Sequence, residues 1–327
     1  MLQLLSPSEN ETITLQKPEH LDYIREPKNT AVADVDWLRL KETQQDLSSP
    51  NPVRFRFSPA IDATVLLYHP NGDVTRHPAV GGAVDVFNLQ IGTTYYWQVE
   101  AGDDRSARAC FHTADIAPRL LNIEGITNVR DFGGFTTKDG KKIRQGLLYR
   151  SSEMDTHVNI TQTGKQALKA LHIRTDLDIR GCHDEYRAPN LESSLTEWVN
   201  IPLVAYEKIF TDKAYMAAYG KAYALLTDAT RFPMIVHCWG GIDRTGCWLF
   251  ILGGMLGVHE DQLFLDYEFS SFCKWGQRSR HSDQFSAFLA QLMTLGDTVE
   301  VACRHFMLAA GLTSEQIEQI KNIFIEK

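Results

Sequence analysis

A cysteine and an arginine six positions apart, Cys238 and Arg244, enclose five residues that include Gly240 and Gly241. The run before them, Met234-Ile235-Val236-His237, reads as an apolar strand, and Cys247 to Leu256 after them read as a buried helix. A thiol is a nucleophile as its thiolate. A strand-to-helix turn favours the ionised form, because it aims unpaired backbone N–H groups and the positive helix end at the sulfur. Gly240 and Gly241 let the chain curl into an anion nest, in which Trp239, Gly240, Gly241, Ile242, Asp243 and Arg244 surround three phosphate oxygens. Arg244 adds a planar, permanently charged fork for two of those oxygens. Thr245 stands where its hydroxyl could bond the sulfur as a leaving group, and His237 where it could orient the loop. This layout suits hydrolysis of a phosphate monoester with Cys238 as nucleophile. The alternative, a buried structural cysteine beside a surface arginine, does not account for the glycines, the histidine and the Thr-Gly together.

The string His237-Cys238-x-x-Gly241-x-x-Arg244-Thr245-Gly246 resembles the active-site loop (Cys-x5-Arg) of cysteine-dependent protein tyrosine and dual-specificity phosphatases. Asn128-Val129-Arg130-Asp131-Phe132-Gly133-Gly134 resembles the opening motif of a bacterial tyrosine/serine phosphatase family that includes phosphoinositide-active members. Leu148 to Ser152, Asp178-Ile179-Arg180 and Asp266 to Ser271 follow in that family's order, so the resemblance covers about residues 118 to 327. It implies a phosphocysteine mechanism, with no cofactor and no metal.

Such hydrolysis needs an acid for the departing oxygen. None of the six tryptophans is followed by Pro-Asp, so the acid loop of animal tyrosine phosphatases is missing. The resembled family places a candidate acid at Asp243; the other reading of Asp243 is a cap on the helix N-terminus. The resemblance also implies that Asp178 supports catalysis by holding Arg244, and it leaves Asp131 a supporting carboxylate of unassigned role. Phosphoinositide-active members tend to carry a lysine just before the loop aspartate. Here the residue is Ile242, which favours a phosphorylated protein or small aryl phosphate over inositol phosphates. Trp239 either packs on an aromatic substrate ring or fills the core under the loop. The competing functions are an inositol-phosphate phosphatase and a catalytically weak phosphate-binding scaffold.

These residues need a framework. At 327 residues the chain reads as two domains. Residues 1 to 116 carry short alternating runs at Val53–Phe57, Ala63–Tyr68 and Thr94–Ala101, separated by turn signals at Pro70-Asn71-Gly72-Asp73 and Gly81-Gly82. They predict an all-β sandwich without a helix. Leu89 to Ala101 resembles the late strand of fibronectin type III domains, tyrosine corner included, and Phe111-His112-Thr113 would end the unit. Such a module suggests a protein or glycan partner. Around Pro118 a linker is expected.

From residue 117 to 327 strands alternate with helices, which predicts an α/β domain with a mostly parallel central sheet flanked by helices. The spacing predicts helices over Thr163–Leu171 and Ala214–Leu226, a strand over Thr175–Ile179, and four helices after Glu260, the last with a capping box from Thr313 to Gln316. Ligands bind beyond the carboxyl ends of such strands, where Cys238 falls.

A net charge of −8 argues against a nucleic-acid partner, since phosphate backbones attract basic surfaces. The six cysteines are scattered without Cys-x-x-Cys pairing, so neither a zinc site nor a disulfide framework is expected. A protective disulfide of Cys238 with Cys182 or Cys247 is the less favoured use of those thiols. No apolar run reaches transmembrane length and no export segment is visible, which leaves two expectations: a cytoplasmic protein, or an exported form whose signal has been removed.

Overall fold

The computed structural model describes residues 2–25, 46–181, 191–192, 194–275 and 277–327. Two compact units divide the chain, one holding residues 2–21 and 50–122, the other the remaining described residues.

The first unit is two sheets over a shared core. One has the order β1 (Gln3–Ser6), β3 (Val53–Ser58), β6 (Ala83–Val86). In the other, β2 (Glu11–Ile13), β9 (Ala109–Thr113), β7 (Thr94–Ala101), β4 (Ala63–Tyr68) and β5 (Val74–Ala79) lie side by side, with β8 (Asp104–Arg105) paired to β7. Strand alternation explains the core. Val53, Phe55 and Phe57 of β3 face inward between the outward Arg54 and Arg56. Tyr95, Trp97 and Val99 of β7 face them from the opposite sheet. Phe55 meets Trp97 edge-on at 5.0 Å, and Tyr95 stacks on Phe111 at 5.5 Å. The unit ends later than residue 116. Arg119, in β10 (Arg119–Leu120), donates to Leu89 O (3.0 Å) and Asn88 O (2.7 Å), and Asn122 N–H donates to Asn88 Oδ1 (2.7 Å). The expected linker around Pro118 is thus part of this unit. Helix α1 spans Pro18–Arg25, across the point after Leu21 where the chain passes from one unit to the other, with Pro18 at its first position and Glu19 in its first turn.

In the second unit a mixed sheet runs β11 (Arg130–Asp131), β12 (Leu148–Ser151), β15 (Met234–His237), β13 (Thr175–Asp178), β14 (Glu197–Asn200). The last four are parallel; β11 is antiparallel to β12, with Arg130 opposite Arg150. Ser151 on one side and Asp178 on the other stand level with His237, so three strands end together just before Cys238.

Helices flank the sheet: α2 (Gln162–Ala170), α3 (Lys213–Ala224), α4 (Asp243–Met255), α5 (Glu260–Phe269), α6 (Asp283–Met293), α7 (Val299–Ala309) and α8 (Ser314–Phe324). Helix α4 is buried from Thr245 to Met255, as an all-round apolar helix must be. Tyr223 of α3 stacks on Trp248 at 5.1 Å and donates its hydroxyl to Trp248 O. A side chain at Gly253 would stand 2.5 Å from Leu263, so glycine there lets α5 lie close. Thr313 and Gln316 form the predicted capping box. Among the described residues no helix is long and apolar enough to cross a membrane.

Candidate active site

Residues 238–242 join β15 to α4, with Cys238 almost wholly buried. The loop's carbonyls are claimed from outside. Glu153 N–H donates to Trp239 O (2.7 Å), Asn128 Nδ2 donates to Gly240 O (3.0 Å) and Gly241 O (3.1 Å), and Arg150 Nη2 donates to Gly241 O. In a trans peptide the N–H points opposite the C=O. The amides of Gly240, Gly241 and Ile242 therefore turn away from these donors, which gives three successive N–H groups for an anion. Gly241 has φ +64°, and a Cβ there would lie 2.0 Å from Ser151 O. Only glycine fits that position.

Beneath the loop lies a buried ionic layer. Asp266 accepts Arg130 Nε at 2.7 Å and is also bonded by Arg150 Nη1. Arg130 further donates to Asn128 Oδ1 and to Ser270 Oγ (3.1 Å). Arg130, Arg150 and Asp266 are all buried. Two guanidiniums on one carboxylate leave a positive excess under the anion nest. Burial and the neighbouring Arg150 pull Arg130 down to about 10. Burial works against the Asp266 anion, but Arg130 and Arg150 hold its carboxyl below the usual carboxylate range. In the sequence these residues stand inside recognisable motifs with nothing local to assign them a role. Their signal was charge within short strands and a helix that are otherwise buried.

His237 is buried, with Nδ1 3.2 Å from Cys238 O and Nε2 3.0 Å from Asp176 Oδ1. The Asp176 contact lies off the line of a well-formed hydrogen bond and is best described as ionic. Burial disfavours the imidazolium, yet Asp176 and then Asp178 raise His237 to about 9, so it is cationic at neutral pH beside Cys238. A raised folded value stabilises the fold fully below the unfolded value near 6.5, and the contribution is lost as pH rises through about 9. Asp176→Asn is expected to bring the His237 NMR titration midpoint well down from about 9, since burial and Arg180 are then opposed by Asp178 without the nearer carboxylate. A midpoint still near 9 would show that another group holds the proton.

The Asp178 carboxylate, at the end of β13, takes Nε (3.0 Å) and Nη2 (2.8 Å) of Arg180, which stands just past the strand. Arg180 reaches on to Glu153 (3.0 Å) and Asp155 (2.6 Å). Asp131 accepts the N–H groups of Gly133 (2.7 Å) and Gly146 (2.6 Å), which gives it a turn-holding role. Thr245 Oγ1 is buried with no hydrogen-bond partner among the described residues, so the expected bond to the Cys238 sulfur is absent. Trp239 is half-buried against the His157 ring at 4.1 Å, and Ile242 is buried. Cys238 and Cys247 are free thiols; Cys182 lies outside the described residues.

Asp243 is the first residue of α4 and Arg244 the second, both half-buried. The capping position falls on Ile242, whose side chain makes no capping bond, so the capping reading of Asp243 is corrected. Instead the Asp243 carboxylate accepts Arg278 Nε (2.7 Å) and Nη2 (3.0 Å) and the Tyr206 hydroxyl. Burial opposes its charge, but Arg278, followed by Tyr206 and Arg244, keeps it below the usual carboxylate range. Neither Tyr206 nor Arg278 was picked out from the sequence.

Residues 121–326 match the family model described as the tyrosine phosphatase family. A Cupriavidus necator protein named "Putative tyrosine-protein phosphatase" is 28% identical, over 46% of this chain and 66% of its own length; the chain spans just under two thirds of that relative. Among solved structures, the core catalytic domain of the S. cerevisiae PP-IP phosphatase Siw14, in complex with citrate, is similar at 20% identity and a TM-score of 0.31, over 39% of this chain and 72% of that one. A second Siw14 catalytic core is similar at 17% identity and a TM-score of 0.28, over 46% and 89%.

Proposed function

The chain belongs to the tyrosine phosphatase family, and on that premise we propose that it hydrolyses phosphotyrosine, or phosphorylated side chains more broadly, through a phosphocysteine intermediate. One observation carries this reading: the carbonyls of Trp239, Gly240 and Gly241 are bonded from outside the loop, which turns three successive amides the other way between Cys238 and α4. The Cys238 sulfur attacks phosphorus and the ester P–O bond breaks. Arg244 and the loop amides stabilise the equatorial oxygens. Asp243 gives its proton to the departing phenolate. Water then attacks phosphorus, Asp243 takes the water's proton, and the P–S bond breaks to restore the thiolate. In the resting site Asp243 is a carboxylate. A phosphate dianion bound beside it is a like charge, which favours uptake of the proton needed for the first step.

Ile242 is buried and brings no cation to the rim, and Arg278 is engaged with Asp243. Both favour a single-phosphate substrate over an inositol polyphosphate. A kinetic panel of phosphotyrosine peptides, phosphoserine peptides and inositol phosphates tests this. Highest kcat/KM on phosphotyrosine is expected. A strong preference for inositol phosphates would reverse the assignment, and tight peptide binding without hydrolysis would make the domain a scaffold.

The first unit we infer to be fibronectin type III-like and to engage a protein or glycan partner. Its two strand orders support this, together with Tyr95, whose hydroxyl accepts the N–H of Gln90 (2.9 Å) as a tyrosine corner does. Tyr95→Phe removes only that hydroxyl and is expected to destabilise the protein by about 1 kcal/mol in urea titrations. An unchanged midpoint would count against the corner.

A further inference from the structure

Asp243 is enclosed from three elements besides its own. Arg278, from the segment after α5, places two nitrogens on its two oxygens. Tyr206, at the head of the short 3-10 turn Tyr206–Phe210, donates its hydroxyl to Oδ1. Tyr267 of α5 stands behind, its hydroxyl 2.8 Å from that of Tyr206. On α4 itself the charged or titratable neighbours are Arg244 and, one turn on, Cys247. Tyr206 has φ +59°, a conformation a bulky residue adopts only where its surroundings over-determine it. Its backbone N–H is turned to Cys247 Sγ (3.4 Å), which fixes the ring's approach to Asp243. A carboxylate serving only the helix end requires none of these partners.

We propose that Arg278 and Tyr206 are positioning residues that hold Asp243 as an aimed carboxylate and thereby set the pH at which it exchanges its proton with the leaving group and with water. The inference rests on the reading of Asp243 as acid and then base. A bidentate guanidinium favours the anion and fixes both oxygens in one plane. The hydroxyl favours the anion from a second direction and fixes the rotation of that plane. Without Arg278, burial is the main remaining influence, and it favours the protonated form.

An acid must carry its proton to act, so kcat/KM falls as pH rises through the value for Asp243. The test is the pH profile of kcat/KM on one phosphotyrosine peptide, measured with the full chain and with Arg278→Gln, Arg278→Lys, Tyr206→Phe and Asp243→Asn. Arg278→Gln is expected to move the descending limb to higher pH by about one unit. Tyr206→Phe moves it the same way by less, and Arg278→Lys returns it part of the way. A descending limb at the wild-type pH in both Arg278→Gln and Tyr206→Phe, with only the height reduced, overturns the proposal. Asp243→Asn separates the two readings. If it abolishes the limb while the Arg278 and Tyr206 variants leave it in place, the positioning role fails and Asp243 stands as the acid; if the limb survives Asp243→Asn, the acid assignment itself fails.

Discussion

Cys238→Ser loses turnover of phosphotyrosine by about four orders of magnitude or more, on the scale seen when a catalytic nucleophile is removed. A serine hydroxyl is far less acidic than a thiol, and His237 beside it is already protonated at neutral pH. Replacing sulfur by oxygen changes the volume of this buried side chain little, and the cradle is main chain held by Asn128, Arg150 and Glu153. The variant should therefore fold as the parent does and still bind a phosphotyrosine peptide. Circular dichroism, binding and kinetics together check this. Turnover within tenfold of wild type in a preparation free of contaminating phosphatase would show that another group attacks phosphorus.

Asp266→Asn is expected to cost about 3–5 kcal/mol, the range for breaking a buried ion pair from one side. Arg130 and Arg150 would be left in the interior without their shared counter-charge, and Arg150 would lose one of the contacts that fix it beneath Gly241 O. Activity should fall with stability because the same guanidinium shapes the loop. The pH dependence has a definite sign. The folded value of Asp266 is depressed, so its contribution is complete above the unfolded value near 3.9 and is lost as pH falls through the folded value. Wild-type stability should drop on acidification below about pH 4, and the variant should lack that part of the drop. An urea midpoint within error of wild type for Asp266→Asn would show that the layer is solvated and carries little energy.

The reach of the sequence follows from which interactions are local. The strand, the glycine loop and the buried helix around Cys238 were legible because each has its own short-range pattern, and the alternation of β7 and the capping box at Thr313 were legible for the same reason. Several short strands, among them β1, β2, β5, β6 and β14, have no such pattern. β5 is Val74-Thr-Arg-His-Pro-Ala79 at the edge of its sheet, where exposure removes the hydrophobic period and a proline is tolerated. Asp178 takes Arg180, two residues away, where the resemblance pointed to the more distant Arg244. Tyr206 and Arg278 stand 37 and 35 positions from Asp243 in opposite directions along the chain, and no periodicity in the sequence links them to it. The bond from Arg119 to Asn88 links two polar residues whose pairing only the fold makes visible.

The central claim, a covalent bond between Cys238 and the transferred phosphorus, is tested most directly by acid-quenching the enzyme during turnover of a phosphotyrosine peptide and mapping the phosphate by mass spectrometry. Phosphate on the peptide that contains Cys238, appearing before inorganic phosphate and absent from Cys238→Ser, is the predicted result. Steady turnover with no phosphorylated enzyme at any quench time, or phosphate on a different residue, would contradict it.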